Sequence, residues 1–401
     1  MTIESAGGGI DVPDDTPRED RAGNACAVCD GREWSPLPNP GPFCMASDWR
    51  VVDEPLDRMA CDACGVARRR PLPAAFFESR YRLYAHAPGR PREAARQALY
   101  AGWIASQLSQ TPRRVVDVGC GNGSLLLALR DVWPEAALAG CDPSAEGVAH
   151  GASHGLQLWR GGIGDATKPA SADLIVSVNV IEHTADPVAF LIALSEALEP
   201  GGTIVVVCPD GGRPGVELLM ADHVHSFTAA HLRTLMDRAG LEVTGHSVAP
   251  GALGEFQMVA ARKNGVGGHL LRTVLPGAVP VSSTNDLRPH FLRRQYLHAW
   301  RELHGRLRER IDDRVVCFGA GETAGLLRAY APSVWTAVTA CTADDEIESP
   351  FEGVPARRLA DLSSDEQILL AVRPADQPAT AERLRASFRR VATWYDLVDV
   401  F

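Results

Sequence analysis

The chain has 401 residues, enough for two or three domains that each bury a core. With 45% hydrophobic and 22% charged residues it has the composition of an ordinary folded protein, and a net charge of −10 argues against a general nucleic-acid binder, because phosphate binding needs a basic field. No apolar run is long enough to cross a bilayer, no signal-peptide core is evident, and ten cysteines in a chain of this length are not a disulfide scaffold, so a reducing cytoplasm is the expected setting.

Residues 1–23 are rich in Gly, Asp, Glu and Pro, carry few large apolar side chains, and are expected to be disordered. Residues 24–90 then contain two C-x-x-C turns, Cys26/Cys29 and Cys61/Cys64, each followed within two residues by Gly. One such turn sets two thiolates on one side of an ion and a second completes a tetrahedron, so Cys26, Cys29, Cys61 and Cys64 are the expected ligands of a structural zinc, with redox chemistry the alternative. Cys44, inside the insertion, is expected to be a buried thiol. Further on, Tyr81 and Tyr84 are three residues apart and would share a helix face. They are either amphipathic core residues or donors to a substrate oxygen.

Residues 91–250 alternate helical and strand patterns, the signature of a parallel sheet covered on both faces. An amphipathic helix over 92–110 leads into RRVVDVGCGNGSLLLALR, a buried strand, a glycine turn and a helix start. In that layout main-chain N–H groups face a ligand, and a Cβ at Gly119, Gly121 or Gly123 would obstruct either the turn or the approach. A second strand ends at Asp142, whose carboxylate can accept both hydroxyls of a ribose. A third unit leads to Asp165, placed to accept from an adenine amino group. The fourth strand, 173–178, ends in Asn179-Val180-Ile181-Glu182-His183, and a P-G-G turn precedes a fifth. After it, Asp222-His223-Val224-His225 sits past the sheet edge where such folds bind ligands. His223 is either a general base oriented by Asp222 or a residue that packs and caps the next helix.

The remainder reads as a connector over 251–312, with a Gly- and Val-rich strand and loop over 251–282 and a charged helix over 287–311. A C-terminal α/β unit over 313–401 follows and repeats the strand–glycine–helix theme as Gly319-Ala320-Gly321. That turn is either structural or a nucleotide site with Asp344 or Asp345 near the ribose.

VVDVGCGNG, the acid of GCDP, GDA, DLIVSVNVIEH and LEPGGTIVVV stand in the order and spacing of class I S-adenosylmethionine-dependent methyltransferases, which residues 111–248 resemble. The resemblance implies a central seven-stranded Rossmann-like α/β sheet. It also implies a cofactor site in which Gly119, Gly121 and Gly123 approach the methionine part, Asp142 holds the ribose and Asp165 the adenine, with Asp117 supporting the turn and Asn179 joining the set. A zinc-knuckle module, a methyltransferase core and a smaller C-terminal Rossmann-like unit together resemble the zinc-containing C-methyltransferases of nucleotide-linked keto sugars in deoxysugar and secondary metabolism. That likeness implies His223 as base, Asp222 as its acidic neighbour, and His183 and Tyr84 as donors to an enolate. DHVHSFT departs from the family's EHLSYFS, with Asp for Glu and Ser226 in place of an aromatic. The expected partner is a small molecule, with neither nucleic acid nor membrane. The alternatives are an O- or N-methyltransferase on the same scaffold, and a zinc-ribbon RNA-binding or RNA-modifying protein. The sequence leaves the oligomeric state open.

Overall fold

The computed structural model describes residues 25–70, 91–165, 172–263, 288–344 and 351–398. Five short strands open the chain: β1 (Trp34–Pro36), β2 (Cys44–Met45), β3 (Val51–Val52), β4 (Met59–Cys61) and β5 (Ala67–Arg68). The central part begins with α1 (Pro91–Ser106), β6 (Arg114–Val118), α2 (Ser124–Val132), β7 (Ala137–Asp142), α3 (Ala145–Ser153), β8 (Gln157–Arg160) and β9 (Ala172–Val178). It continues through α4 (Pro187–Ala197), β10 (Leu198–Pro209), β11 (His225–Ser226), α5 (Ala229–Arg238), β12 (Leu241–Val248) and β13 (Phe256–Lys263). The long helix α6 (Arg288–Arg308) precedes β14 (Val315–Phe318), α7 (Glu322–Tyr330), α8 (Pro332–Trp335), β15 (Val338–Thr342), β16 (Gln367–Leu370), α9 (Gln377–Leu384), β17 (Arg390–Ala392) and α10 (Tyr395–Val398).

The central sheet has seven strands in the order β12-β13-β10-β9-β6-β7-β8. Strands β6 to β10 pair in parallel, whereas β13 runs antiparallel to both β10 and β12, so the sheet is mixed. Strand β9 is buried along nearly its whole length, as a strand covered on both faces must be, which explains the apolar run Leu174-Ile175-Val176 at its centre. Helix starts are fixed locally: Ser144 accepts from Gly147 N at 3.1 Å, and Asp186 accepts from Ala189 N at 2.9 Å ahead of Pro187. Chain order reverses between β6 and β9, and a ligand crevice opens at the carboxyl ends of strands beside such a switch point.

A second sheet, β1-β4-β5-β11, joins the cysteine module to the central part: β11 pairs antiparallel with β5, His225 opposite Arg68 and Ser226 opposite Ala67. The C-terminal unit is a four-stranded parallel sheet, β15-β14-β16-β17.

The strand expected at the start of the 251–312 stretch is β13, which completes the seven-stranded sheet. One difference from the sequence reading stands out. Helix α6, read as a charged link, buries Tyr296, Leu297, Trp300, Leu303 and Leu307 in a core that includes Leu56 of the first module and Trp394 of the last. Those five residues recur at helical spacing, and the charges occupy the other face. Among the described residues no helix is long and apolar enough to cross a membrane.

Candidate active site

The crevice at the switch point is a cleft with about 1040 Å³ of empty space, its wall formed by Tyr100 on α1, Asp117, the glycine turn, Asp142, Asn179 and His183. Gly119 has φ +80°, and a Cβ there would stand 2.2 Å from Cγ2 of Val180. Gly123 has φ +79°, and its Cβ would stand 2.2 Å from Leu156 Cδ1. Only glycine gives this turn both its left-handed backbone and its room. Asp142 ties the turn to the next helix, accepting from Gly121 N at 2.9 Å and from Ser144 N at 2.8 Å. Each of its oxygens has a second lone pair for a hydroxyl. Burial pushes Asp142 up, although those two main-chain donors oppose it. Asp117 is pushed up to about 8, first by burial and then by the charge of Asp142.

Asn179 adopts φ +57°, and its Oδ1 is buried with no hydrogen-bond partner among the described residues. A buried acceptor left this way costs about 1–3 kcal/mol, which a donor on a bound molecule would recover. The orphaned amide, the Cβ-free cradle and the acidic residue on β7 fit an adenosyl sulfonium cofactor. Asp165 ends the short 3-10 turn Ile163–Asp165, and its side chain lies outside the described residues, as does Tyr84.

Next to the cleft, the 3-10 turn Ile181–His183 after β9 meets the segment that runs into β11. The His183 and His223 rings stand edge to face with centroids 4.8 Å apart. His183 Nδ1 lies 2.8 Å from the Asp222 carbonyl oxygen, which can only accept, so Nδ1 carries the proton and the lone pair of the neutral ring is on Nε2. The Asp222 carboxylate is buried, 3.8 Å from His183 Nδ1, and accepts from Ser47 N at 2.8 Å and Ser47 Oγ at 2.5 Å. Burial opposes its charge, but the fields of His183 and His223 together with Ser47 hold it below the usual carboxylate range.

The expected pairing of Asp222 with His223 is therefore corrected: the direct contacts of Asp222 are Ser47 and His183. Consecutive residues of a non-helical segment project to different sides. The carboxylate beside His223 belongs to Glu217, whose Oε2 is 4.0 Å from His223 Nδ1, an ion-pair distance rather than a hydrogen bond. Glu217 also accepts from Ser226 Oγ at 2.9 Å, and despite burial it is held below its ordinary range by His223, Arg58 and Arg293. Glu182 is buried beside them, and both its oxygens lack hydrogen-bond partners among the described residues. Burial pushes it up to about 7 against the favourable field of His183.

His225 plays another part. Its Nδ1 donates to Thr184 O at 3.1 Å, and burial pulls it down to about 4, so it packs as a neutral residue. Ser47, Glu217, Glu182 and Tyr100 escaped the sequence reading. Glu182 alone carried a signal there, as the neighbour of His183. Ser47 arrives from a distant segment and Glu217 from the short turn just before His223, and no motif marks either.

The four cysteines of the first module converge: Cys26 Sγ lies 3.6 Å from Cys64 Sγ, Cys29 Sγ 3.6 Å from Cys61 Sγ, and all four sulfurs are within 4.8 Å of one another. Zinc–sulfur bonds of about 2.3 Å put the corners of a tetrahedron roughly 3.8 Å apart, so the set fits that ion. The knuckle is tied to the core through His231, which donates from Nε2 to Cys64 O at 2.9 Å while its Nδ1 accepts from Thr228 N at 3.1 Å, closing the cap of α5. At the C-terminal glycine turn, a Cβ on Gly325 would meet Met45 Sδ at 2.5 Å, so the β2–β3 hairpin is seated directly on α7. Asp344, one of the two acids in range of that turn, is held in a bidentate ion pair by Arg383, and Asp345 lies outside the described residues.

Residues 91–246 match the family model described as a methyltransferase domain. Trans-aconitate 2-methyltransferase of Rhodococcus jostii (strain RHA1) is 34% identical over 101 residues, 25% of this chain and 40% of that protein. The enzyme of the same name from Streptomyces avermitilis is 30% identical over 128 residues, 30% of this chain and 48% of that protein. The chain thus spans less than half the length of these curated relatives. A solved S-adenosylmethionine-dependent methyltransferase from Mesorhizobium loti aligns with a TM-score of 0.35 and 19% identity, covering 41% of this chain and 98% of that one.

Proposed function

We propose that this chain, whose residues 91–246 form a class I S-adenosylmethionine-dependent methyltransferase domain, methylates a small molecule at a carbon next to a ketone, the acceptor being a nucleotide-linked deoxy sugar. The observation that carries the reading is the meeting of His183, His223 and Asp222 at the edge of the cofactor cleft. Gly119, Gly121, Gly123, Asp142, Asn179, Asp117 and Asp165 would hold the cofactor, which when bound supplies an electrophilic methyl group on a sulfonium.

Carbon methylation requires removal of a proton beside the carbonyl while the methyl lies in line. His223 accepts that proton. Its Nδ1 faces Glu217, whose charge stabilises the imidazolium, and an oriented base of this kind contributes about 10²–10⁴-fold. His183 lies on the cleft wall, and with its Nδ1–H held by the Asp222 carbonyl it donates to the acceptor oxygen from Nε2 in its imidazolium form, whose charge the Asp222 carboxylate balances. Tyr84 is assigned as a further donor to that oxygen. The four cysteines hold zinc structurally, since four sulfur ligands close the site to water.

The names of the relatives point to a different acceptor, trans-aconitate, and methyl transfer to oxygen or nitrogen is the competing outcome. Incubating the full chain with methyl-labelled donor and a keto-sugar nucleotide, then locating the label by NMR, decides between them. Label on carbon next to the ketone supports the proposal. Label only on oxygen or nitrogen, or none on any sugar nucleotide, overturns the acceptor.

A further inference from the structure

Glu182, His183 and His223 bring one ligand atom each to within 4.8 Å of one another, two imidazole nitrogens and a carboxylate oxygen. We infer that these three side chains form a second cation site, separate from the cysteine cluster, for a borderline first-row divalent ion such as Co²⁺ or Zn²⁺.

Three observations carry it. Glu182 is 2% exposed, and neither of its oxygens has a hydrogen-bond partner among the described residues, although a buried carboxylate needs a partner. His223 is 7% exposed, with its Nδ1 unpartnered in the same way. His183 donates from Nδ1 to the Asp222 carbonyl with the Asp222 carboxylate 3.8 Å behind it, and Asp222 is itself fixed by Ser47. A proton held on one ring nitrogen by a carbonyl or carboxylate is how metal-binding histidines are oriented, the other nitrogen being left as the ligand.

The donor set selects the ion. Imidazole nitrogens suit zinc, cobalt, nickel and copper, whereas magnesium and calcium take oxygen ligands. Bonds of about 2.0–2.1 Å would hold tetrahedral ligand atoms roughly 3.3 Å apart, so binding draws together atoms that here lie within 4.8 Å of one another. Entry is through the cleft, where the His183 side chain is 17% exposed. Binding does not depend on the acceptor proposed above. Its consequence does rest on that reading: an ion on His223 takes the lone pair that would accept the proton, so occupancy inhibits turnover.

The test uses full-length protein carrying one zinc, titrated with Co²⁺ and followed by calorimetry and visible absorption. A second equivalent with d–d bands but no thiolate charge-transfer band is expected, and Mg²⁺ should neither bind nor compete. Glu182→Gln should weaken that equivalent by about tenfold or more, since losing even a residue that only orients a ligand costs 10–100-fold. His223→Asn provides the same reading should Glu182→Gln not fold, with S-adenosylhomocysteine binding as the check of folding in both. No second equivalent, a second equivalent with thiolate character, or one that both variants leave unchanged overturns the site. Methyl transfer measured on the one-zinc protein before any Co²⁺ is added reports on the proposed activity independently, so the failure of one claim is distinguishable from failure of the other.

Discussion

Donor binding should eject a proton from Asp117. This side chain is 2% exposed and lines the cleft, and burial together with Asp142 moves it from 3.8 to about 8. Between those two values the folded, ligand-free protein holds a proton that the unfolded chain lacks, so stability falls as pH rises, by up to about 1.4 kcal/mol per pH unit. At pH 7 a group titrating near 8 is roughly 0.9 protonated. A sulfonium donor that also carries an ammonium group brings positive charge into the cleft, and a nearby opposite charge favours the ionised carboxylate. Binding at pH 7 should therefore release close to 0.9 proton, and affinity should rise up to tenfold per pH unit toward pH 8. Calorimetry at pH 7 in buffers of different ionisation enthalpy gives the number directly, as the slope of observed heat against buffer enthalpy. Asp117→Asn should flatten that slope and remove the matching fall of ligand-free stability with rising pH. Undiminished donor binding with no buffer dependence in the wild type would refute the reasoning.

Three further outcomes follow from the geometry. Gly119→Ala places a methyl 2.2 Å from Val180 Cγ2 at φ +80°, so S-adenosylhomocysteine binding should be lost while the far-UV spectrum persists; near-normal affinity would contradict the cradle. Asp222→Asn keeps the shape but removes a buried charge 3.8 Å from His183, worth at most about 4 kcal/mol at an effective dielectric of 20. kcat should fall by about 10²–10³-fold with donor affinity unchanged, and Ser47→Ala, which keeps the charge and removes one hydrogen bond, should fall less. Removing metal with a strong chelator, or Cys61→Ser, should lower Tm and abolish turnover before donor binding is lost, because the cysteine module's sheet carries β11 but not the glycine turn.

What the sequence disclosed and what it hid divide along one physical line. The glycine turn, the acid on β7 and the strand before Asn179 are local: an apolar run, a turn that only glycine can make and a helix start dictate them within some twenty residues. The same holds for the cysteine knuckles, whose two turns each preset a pair of thiols. The partners of the histidines are not local. Asp222 is held by Ser47, 175 residues away, and His225 pairs with Arg68 through a two-residue strand that no periodicity could announce. Helix α6 carries both signals at once: its charges mark one face, and Tyr296, Leu297, Trp300, Leu303 and Leu307 trace an apolar stripe along the other. The reversal of β13 left no trace, since an inner strand reads alike in either direction.

The same long-range contacts tie the cysteine module to the proposed base. Arg293 of α6 is fully buried, donating to Gly65 O beside the knuckle at 2.5 Å and to Ser226 O on β11 at 3.1 Å. Arg58, from the first module, donates to the carbonyls of Leu218 and Met220. Both guanidiniums help hold Glu217 ionised, and they are positioned by the cysteine module and the helix that packs against it. Glu217 in turn faces His223 at 4.0 Å, so an anion fixed by distant cations sits next to the candidate base. Two buried cations bordering one carboxylate are stable only while their carbonyl partners stay in place, because an uncompensated buried charge costs several kcal/mol. The knuckle, the long helix and the β11 segment must therefore close together for Glu217 to be charged and His223 to be aimed. A metal at the cysteines would not approach the methyl group. It would fix the carbonyl of Gly65 and, through Arg293, the electrostatics around the proposed base just before β11.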